Sequence, residues 1–164
     1  MSGYQASIQT PFAHLGIRLL QDRLAAIDFI DADSEIKPDS KSAAAICNQI
    51  RDYLDSPQQA YRFNIPYLLE GTPFQKKVWS ELVHIPAGKV VSYGALAKKL
   101  GTSARAVGNA CRKNPLPVVI PCHRVVSSNG IGGYSGATSG DLHAIKRWLL
   151  EHEGAMLTGF PGYL

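Results

Sequence analysis

Pro121-Cys122-His123-Arg124-Val125 sets a thiol beside an imidazole inside an apolar, proline-stiffened segment, Leu116 to Val126. A cysteine attacks as its thiolate, and an imidazole is suited to accept the thiol proton near neutral pH. Adjacent residues of a regular strand point to opposite faces, so in a strand His123 could not take the proton of Cys122 directly. Either a turn or a relay is required. Pro121 removes a ladder donor just before the thiol, and Pro115 and Pro117 keep the preceding stretch from being an ordinary central strand. A rigid loop presenting Cys122 as a nucleophile is one reading; a buried structural cysteine beside a surface histidine is the other.

The elements that must position this segment can be read from periodicity and caps. Alternation around Ala6, Ile8 and Thr10, then runs at Gly16 to Leu20 and Leu24 to Ile30 about a Gln21-Asp22-Arg23 turn, predict an antiparallel meander. Ile46, Ile50 and Leu54 recur every four residues, so Lys41 to Asp55 is expected to be an amphipathic helix with Cys47 at its apolar face. Ala60 to Ile65 is expected to add a strand, and Pro66 to Gly71 to connect onward. Thr72-Pro73-Phe74-Gln75 has a capping-box pattern, and Phe74, Val78 and Leu82 stripe the helix that follows until Ile85-Pro86. Ser92 can cap a short helix from Tyr93 to Leu100, stopped by Gly101. Thr102 or Ser103 can cap another from Ala104 to about Arg112, and the pair reads as helix-turn-helix. Val125-Val126 and Ile131 flank Ser127 to Gly130 as a hairpin-like wing. A last helix, about Asp141 to His152, is expected to bury Leu142, Ile145, Trp148 and Leu149.

Charge divides the 164-residue chain. Met1 to Thr72 carries six Lys/Arg against nine Asp/Glu, whereas Pro73 to Leu164 carries eleven against four. From Pro73 to Ser127 nine cations, Arg105, Arg112 and Arg124 among them, face Glu81 alone, which suggests a nucleic-acid partner. The helix Ala104-Arg105-Ala106-Val107-Gly108-Asn109-Ala110 has small side chains around one long cation, as suits close approach to DNA. Cys47, Cys111 and Cys122 are an odd number at no disulfide or zinc spacing, and no apolar leader opens the chain, so a reduced intracellular protein is expected. No apolar run is long enough to span a bilayer. Neither a metal nor another cofactor is expected.

The chain resembles the O6-alkylguanine-DNA alkyltransferases, also called methylated-DNA--protein-cysteine methyltransferases. The likeness rests on Gly71-Thr72-Pro73-Phe74-Gln75 with Val78-Trp79, Ser92-Tyr93-Gly94 with Leu96-Ala97, Ala104 to Gly108, Asn114-Pro115, Pro121 to Val126, Gly133-Tyr134-Ser135-Gly136, and Trp148-Leu149-Leu150 with His152-Glu153-Gly154. These motifs run through residues 71–154. The resemblance implies an α+β protein: an N-terminal ribonuclease-H-like α/β domain, residues 1–70, and a C-terminal winged-helix-like helix-turn-helix domain, residues 71–164, that binds DNA and catalyses.

It also implies a DNA-repair function by direct reversal. Cys122 would take the alkyl group from O6-alkylguanine, and O4-alkylthymine, in a flipped-out nucleotide and keep it as a thioether, so that each molecule reacts once. His123 would contact the thiol through water and be oriented by Glu153, Asn114 would brace the loop, and Tyr93 would donate to guanine N3. Arg105 would fill the vacated stack while its helix lies in the minor groove of double-stranded DNA. Gln75, Tyr93, Gly94, Thr102, Ser103 and Ser128 would meet the strand or its phosphates. Val125 and Cys122 carbonyls, Tyr134, Ser135 and Pro117 would surround the base. The expected protein is a monomer, able to cluster on DNA, located in the cytoplasm, with the nucleoid if bacterial, or in the nucleus if eukaryotic. Two features depart from the family pattern: Cys111 in the recognition helix, and a segment Ser135 to Asp141 about five residues longer than usual, which reads either as an adjustable lid over the alkyl pocket or as a surface insertion with no role. A cysteine hydrolase, or an alkyltransferase-like protein that binds the lesion without repairing it, is the competing reading; Cys122 argues against the second.

Overall fold

The strand alternation of the opening segment produces Ala6–Gln9 (β1), His14–Leu20 (β2) and Arg23–Ile30 (β3), an antiparallel sheet in the order β1-β2-β3. The protein is described from a computed structural model over residues 3–31, 35–56, 62–128, 130, 132 and 141–155. Ile8 pairs with Leu15, Leu15 with Phe29 and Ile17 with Ile27, so each strand gives alternate side chains to one buried face. Gln21 and Asp22 take φ of 53° and 61°, the left-handed pair of a two-residue hairpin turn whose twist matches the flanking strands.

Lys41–Asp55 (α1) begins at the cap Ser40, whose Oγ accepts from Ala43 N at 3.0 Å, and it buries Ile46, Cys47, Ile50 and Tyr53. The strand expected from Ala60 to Ile65 is absent in its described part. Gln49 of α1 satisfies Asn64 instead: its Oε1 accepts from Asn64 N and its Nε2 donates to Asn64 O, both at 2.8 Å. An amide side chain thus replaces a ladder partner there. The chain reaches the sheet only afterwards, where Leu24 N donates to Pro66 O and Leu68 N to Leu24 O, each at 2.9 Å.

Pro73–Leu82 (α2) starts in the expected capping box, with Gln75 N donating to Thr72 Oγ1 and Thr72 N to Gln75 Oε1. It stops at Leu82, short of Ile85. Val91–Ser92 (β4) leads into Tyr93–Leu100 (α3), capped by Ser92 and ended by Gly101 at φ 68°. Of the two candidate caps for Ala104–Arg112 (α4), Ser103 is the one used: its Oγ accepts from Ala106 N at 3.1 Å. Trp79 Nε1 donates to Ala110 O at 2.8 Å, locking α2 to α4.

Cys122–Arg124 forms one turn of 3-10 helix, and Val125–Val126 (β5) pairs in parallel with β4. The wing survives as an antiparallel bridge between Ser127 and Gly130; Ile131 lies outside the described residues. Asp141–His152 (α5) closes the fold. It buries Ile145 and Leu149 fully, while Leu142 and Trp148 pack on the core half-buried. A tilted ring contact of Phe12 with Trp148 at 5.0 Å and a bond from Ile27 N to Pro115 O at 3.0 Å tie the sheet to the C-terminal half.

Candidate active site

The loop between α4 and Cys122 is built by Asn114. Its Oδ1 accepts from Leu116 N at 2.9 Å and its Nδ2 donates to Ile120 O at 2.8 Å, while Cys122 N donates to the same Ile120 carbonyl at 2.8 Å. Within this loop Val118 sits at φ 77°, a conformation that costs a β-branched residue on the order of 1–3 kcal/mol and persists only where its surroundings over-determine it. The buried Leu116, Val119 and Ile120 and the two bonds of Asn114 supply that constraint. Asn114 thus ties Leu116 to Ile120 across the loop.

Cys122 is 5 % exposed and His123 0 %, so the surface-histidine reading is corrected. The prolines and the 3-10 turn carry both residues inward, and the turn resolves the geometric conflict of a regular strand. His123 Nε2 donates to Glu153 Oε2 at 2.7 Å, which leaves Nδ1 of the neutral ring as an acceptor. Among the described residues no protein group satisfies that buried Nδ1.

Glu153, 1 % exposed at the end of α5, accepts four bonds. Besides His123, Tyr53 Oη donates to Oε2 at 2.6 Å, Arg124 Nη2 to Oε2 at 2.8 Å, and Arg124 Nε to Oε1 at 2.9 Å. Burial by itself would raise this carboxyl, but His123 and then Arg124 outweigh it and hold it well below the usual range. Burial pushes the His123 imidazole down despite Glu153, keeping it neutral, and pushes the Cys122 thiol up against Asn114 and the Lys146 charge. The resting pair is therefore thiol and imidazole.

Arg124 corrects the sequence reading in a second way. Counted among surface cations, it is buried, with Nη1 donating to Ile85 O at 2.6 Å and the rest of its fork on Glu153. Lys146, which no motif had singled out, is also buried; its Nζ donates to Val125 O at 2.7 Å and lies 3.4 Å from Tyr93 Oη and 5.5 Å from the centre of that ring. Burial brings its pKa down to about 8, partly offset by Cys122 and Cys111. Leu142, Lys146 and Leu150 fall at four-residue spacing, so a cation interrupting an apolar row was the available signal. Tyr93, raised by burial and then by the neighbouring Cys111 and Cys122, stays protonated. Cys111 itself is pushed up to about 12, by burial first and then by the neighbouring Cys122, beside which a second thiolate is disfavoured.

Of the expected DNA-facing residues, Tyr93 belongs to this cluster and the others lie apart from it. Arg105, Ser103, Gly94 and Ser128 are exposed, and Thr102 and Gln75 half-buried. Gln75 and Ser103 serve as caps, and Gln75 also borders a groove of about 460 Å³ with Phe74, Asn109 and Arg112. Pro117 is buried beneath the loop. Tyr134, Ser135 and all of the long segment before Asp141 lie outside the described residues. No group of three His, Cys, Asp or Glu among the described residues could hold a metal ion, and none of the described helices is long and apolar enough to cross a membrane.

A buried thiol next to a carboxylate-anchored imidazole, set behind a helix-turn-helix with an outward arginine, defines a nucleophilic-cysteine protein of the DNA-binding class. Residues 73–155 match the model of the 6-O-methylguanine DNA methyltransferase DNA-binding domain. The chain is 34% identical over 148 residues to a methylated-DNA--protein-cysteine methyltransferase of Metallosphaera sedula, covering 90% of this chain and 91% of that one. A probable methylated-DNA--protein-cysteine methyltransferase of Acanthamoeba polyphaga mimivirus is 37% identical over 135 residues, 81% and 83% of the two chains. Among solved structures, the Mycobacterium tuberculosis OGT in complex with DNA superposes with a TM-score of 0.74 at 31% identity, covering 95% and 94%. The chain belongs to the methylated-DNA--protein-cysteine methyltransferase family.

Proposed function

We propose that this chain repairs DNA by moving an alkyl group from O6 of guanine, or O4 of thymine, to Cys122. The observation that carries the assignment is the buried His123–Glu153 bond beside the buried Cys122, whose neighbours include Cys111 of α4. A water between His123 Nδ1 and the Cys122 sulfur would pass the thiol proton to the imidazole, and Glu153 would stabilise the imidazolium that forms. The thiolate then attacks the alkyl carbon in line, forming the S–C bond as the C–O6 bond breaks. Its electron pair returns to the purine while the Tyr93 phenol gives N3 a proton, so that a neutral guanine leaves. Lys146 beside that phenol stabilises the phenolate in the same moment. A thioether has no evident route to hydrolysis in this site, so each molecule acts once.

A rigid loop cannot reach O6 inside a duplex, so the nucleotide must be rotated out, at about a few kcal/mol. Exposed Arg105 on a helix of small residues supports a minor-groove approach in which its side chain fills the gap. The groove beside Gln75 and Arg112 and the exposed Ser103, Gly94 and Ser128 support phosphate contacts, with Thr102 at their edge. The Val125 carbonyl keeps one lone pair beside Lys146 for the guanine amine. Cys122, Tyr134, Ser135 and Pro117 complete the pocket in this reading. It also takes residues 71–164 as the DNA-binding and catalytic domain, the protein as a monomer that can cluster on DNA, and its place as the cytoplasm or, in a eukaryote, the nucleus.

The test is a mass spectrum after mixing with excess duplex carrying O6-methylguanine. One methyl group per chain, on the peptide containing Cys122, is the expected result, with none on Cys122→Ala. Methylation beyond one equivalent, or repeated turnover, would overturn it.

A further inference from the structure

Tyr53 lies on α1, a hundred residues before Glu153, yet its phenol closes on the relay. Oη donates at 2.6 Å to Glu153 Oε2, the oxygen that also takes His123 Nε2 at 2.7 Å. The side chain is fully buried and held on both sides: its ring packs on Phe63 at 5.4 Å and edge-on to His152 at 5.3 Å, and its carbonyl accepts from His152 Nε2 at 2.8 Å. This is a specific placement. Nothing about packing requires a hydroxyl at the end of that ring, and a buried phenol finds its partner where one exists.

We infer that Tyr53 is a positioning residue for the relay, supplied by the N-terminal part of the chain, and that it moderates the basicity of Glu153 and through it the reactivity of Cys122. The Arg124 fork already fixes the carboxylate through both oxygens, so the phenol is not needed to orient it. What the phenol changes is charge density on Oε2. A carboxylate that accepts fewer hydrogen bonds is more basic and draws harder on the His123 N–H. With Tyr53 in place, the imidazolium–thiolate form is favoured less and Cys122 rests as a thiol. Such restraint suits a protein that reacts only once, because a resting thiolate would be consumed by any small electrophile in solution. The other polar groups facing the cluster among the described residues are Arg124 from the same turn, Lys146 and His152 from α5, Cys111 from α4, Tyr93 from α3 and Asn114 from the loop; of these, Arg124 is the one bonded to Oε2. Arg124 also faces the Tyr53 hydroxyl, so a fluorinated tyrosine, which keeps that hydroxyl, separates its contribution from the phenol's own.

The inference rests on the relay reading above, and its test avoids DNA so that the two fail separately. The pH profile of iodoacetamide alkylation at the Cys122 peptide is measured for the full chain and for Tyr53→Phe. The midpoint is expected to fall by about half to one pH unit, a threefold to tenfold change in thiolate ratio. Site-specific replacement of Tyr53 by 3-fluorotyrosine, a more acidic phenol and a stronger donor with the same ring, is expected to raise it. An unchanged or raised midpoint in folded Tyr53→Phe overturns the inference. Should that variant not fold, the fluorinated residue decides alone: a raised midpoint supports the inference, and an unchanged or lowered one overturns it. A purely structural role would lower the melting temperature and leave both midpoints in place.

Discussion

Replacing Glu153 by Gln probes the relay at its most heavily bonded point. The carboxylate is 1 % exposed and accepts from His123, Tyr53 and twice from Arg124. An amide keeps the shape, but it carries no charge to stabilise the imidazolium formed when Cys122 loses its proton. A hydrogen bond to a charged group contributes about 1.5–3 kcal/mol, and one pKa unit corresponds to about 1.36 kcal/mol. Neutralising Glu153 should thus raise the midpoint of Cys122 alkylation by about one to two units. At neutral pH the rate would fall roughly tenfold to a hundredfold. Leaving the buried Arg124 without its carboxylate costs a further about 3–5 kcal/mol of stability. The iodoacetamide profile must therefore be taken well below the melting temperature, with circular dichroism confirming the fold. A folded Glu153→Gln protein with an unchanged profile would refute the relay and leave the His123–Glu153 bond as a structural tie.

Cys111→Ala should retain transfer, since burial pushes that thiol up to about 12 and it rests protonated; loss of transfer in a folded variant would give Cys111 a chemical role. Acid should weaken the fold in two stages with the same sign. His123 is depressed below its unfolded value of about 6.5, so the unfolded chain binds the extra proton and stability is lost as pH falls below 6.5, by up to about 1.4 kcal/mol per unit; Glu153, depressed below about 4.5, adds a second loss beneath that pH. Urea midpoints that stay level from pH 7.5 to 5 would contradict the first stage. Arg105→Ala should slow reaction with alkylated duplex far more than with free O6-benzylguanine, because the free base needs no flipping; equal slowing would place Arg105 in the pocket instead.

Local signals made most of the framework legible. The meander, α1 with its bounds, the Thr72 capping box, the Gly101 stop and α5 follow from periodicity and caps, which depend on neighbours a few residues apart. The lost strand at Ala60 to Ile65 failed for a non-local reason: Gln49, on a helix, takes both backbone groups of Asn64. Arg124 was legible as a cation but not as a buried one, since a charge count has no depth. The Cys122-His123 pair stood out from its own apolar, proline-stiffened surroundings and Glu153 through family likeness, whereas Tyr53 and Lys146, each completing the site from a distant helix, carry no motif. A lysine in an apolar row was a visible anomaly; a tyrosine in one was not.

The four bonds on Glu153 also order events in time. Synthesis delivers Tyr53 first, then Cys122 with His123 and Arg124, and Glu153 last. Until Glu153 is made, Arg124 has no carboxylate and His123 no anchor, so the emerging thiol has neither the burial that later raises it nor a relay to take its proton. The relay is therefore the last part of the site to be completed, and it waits on α5 docking against α1.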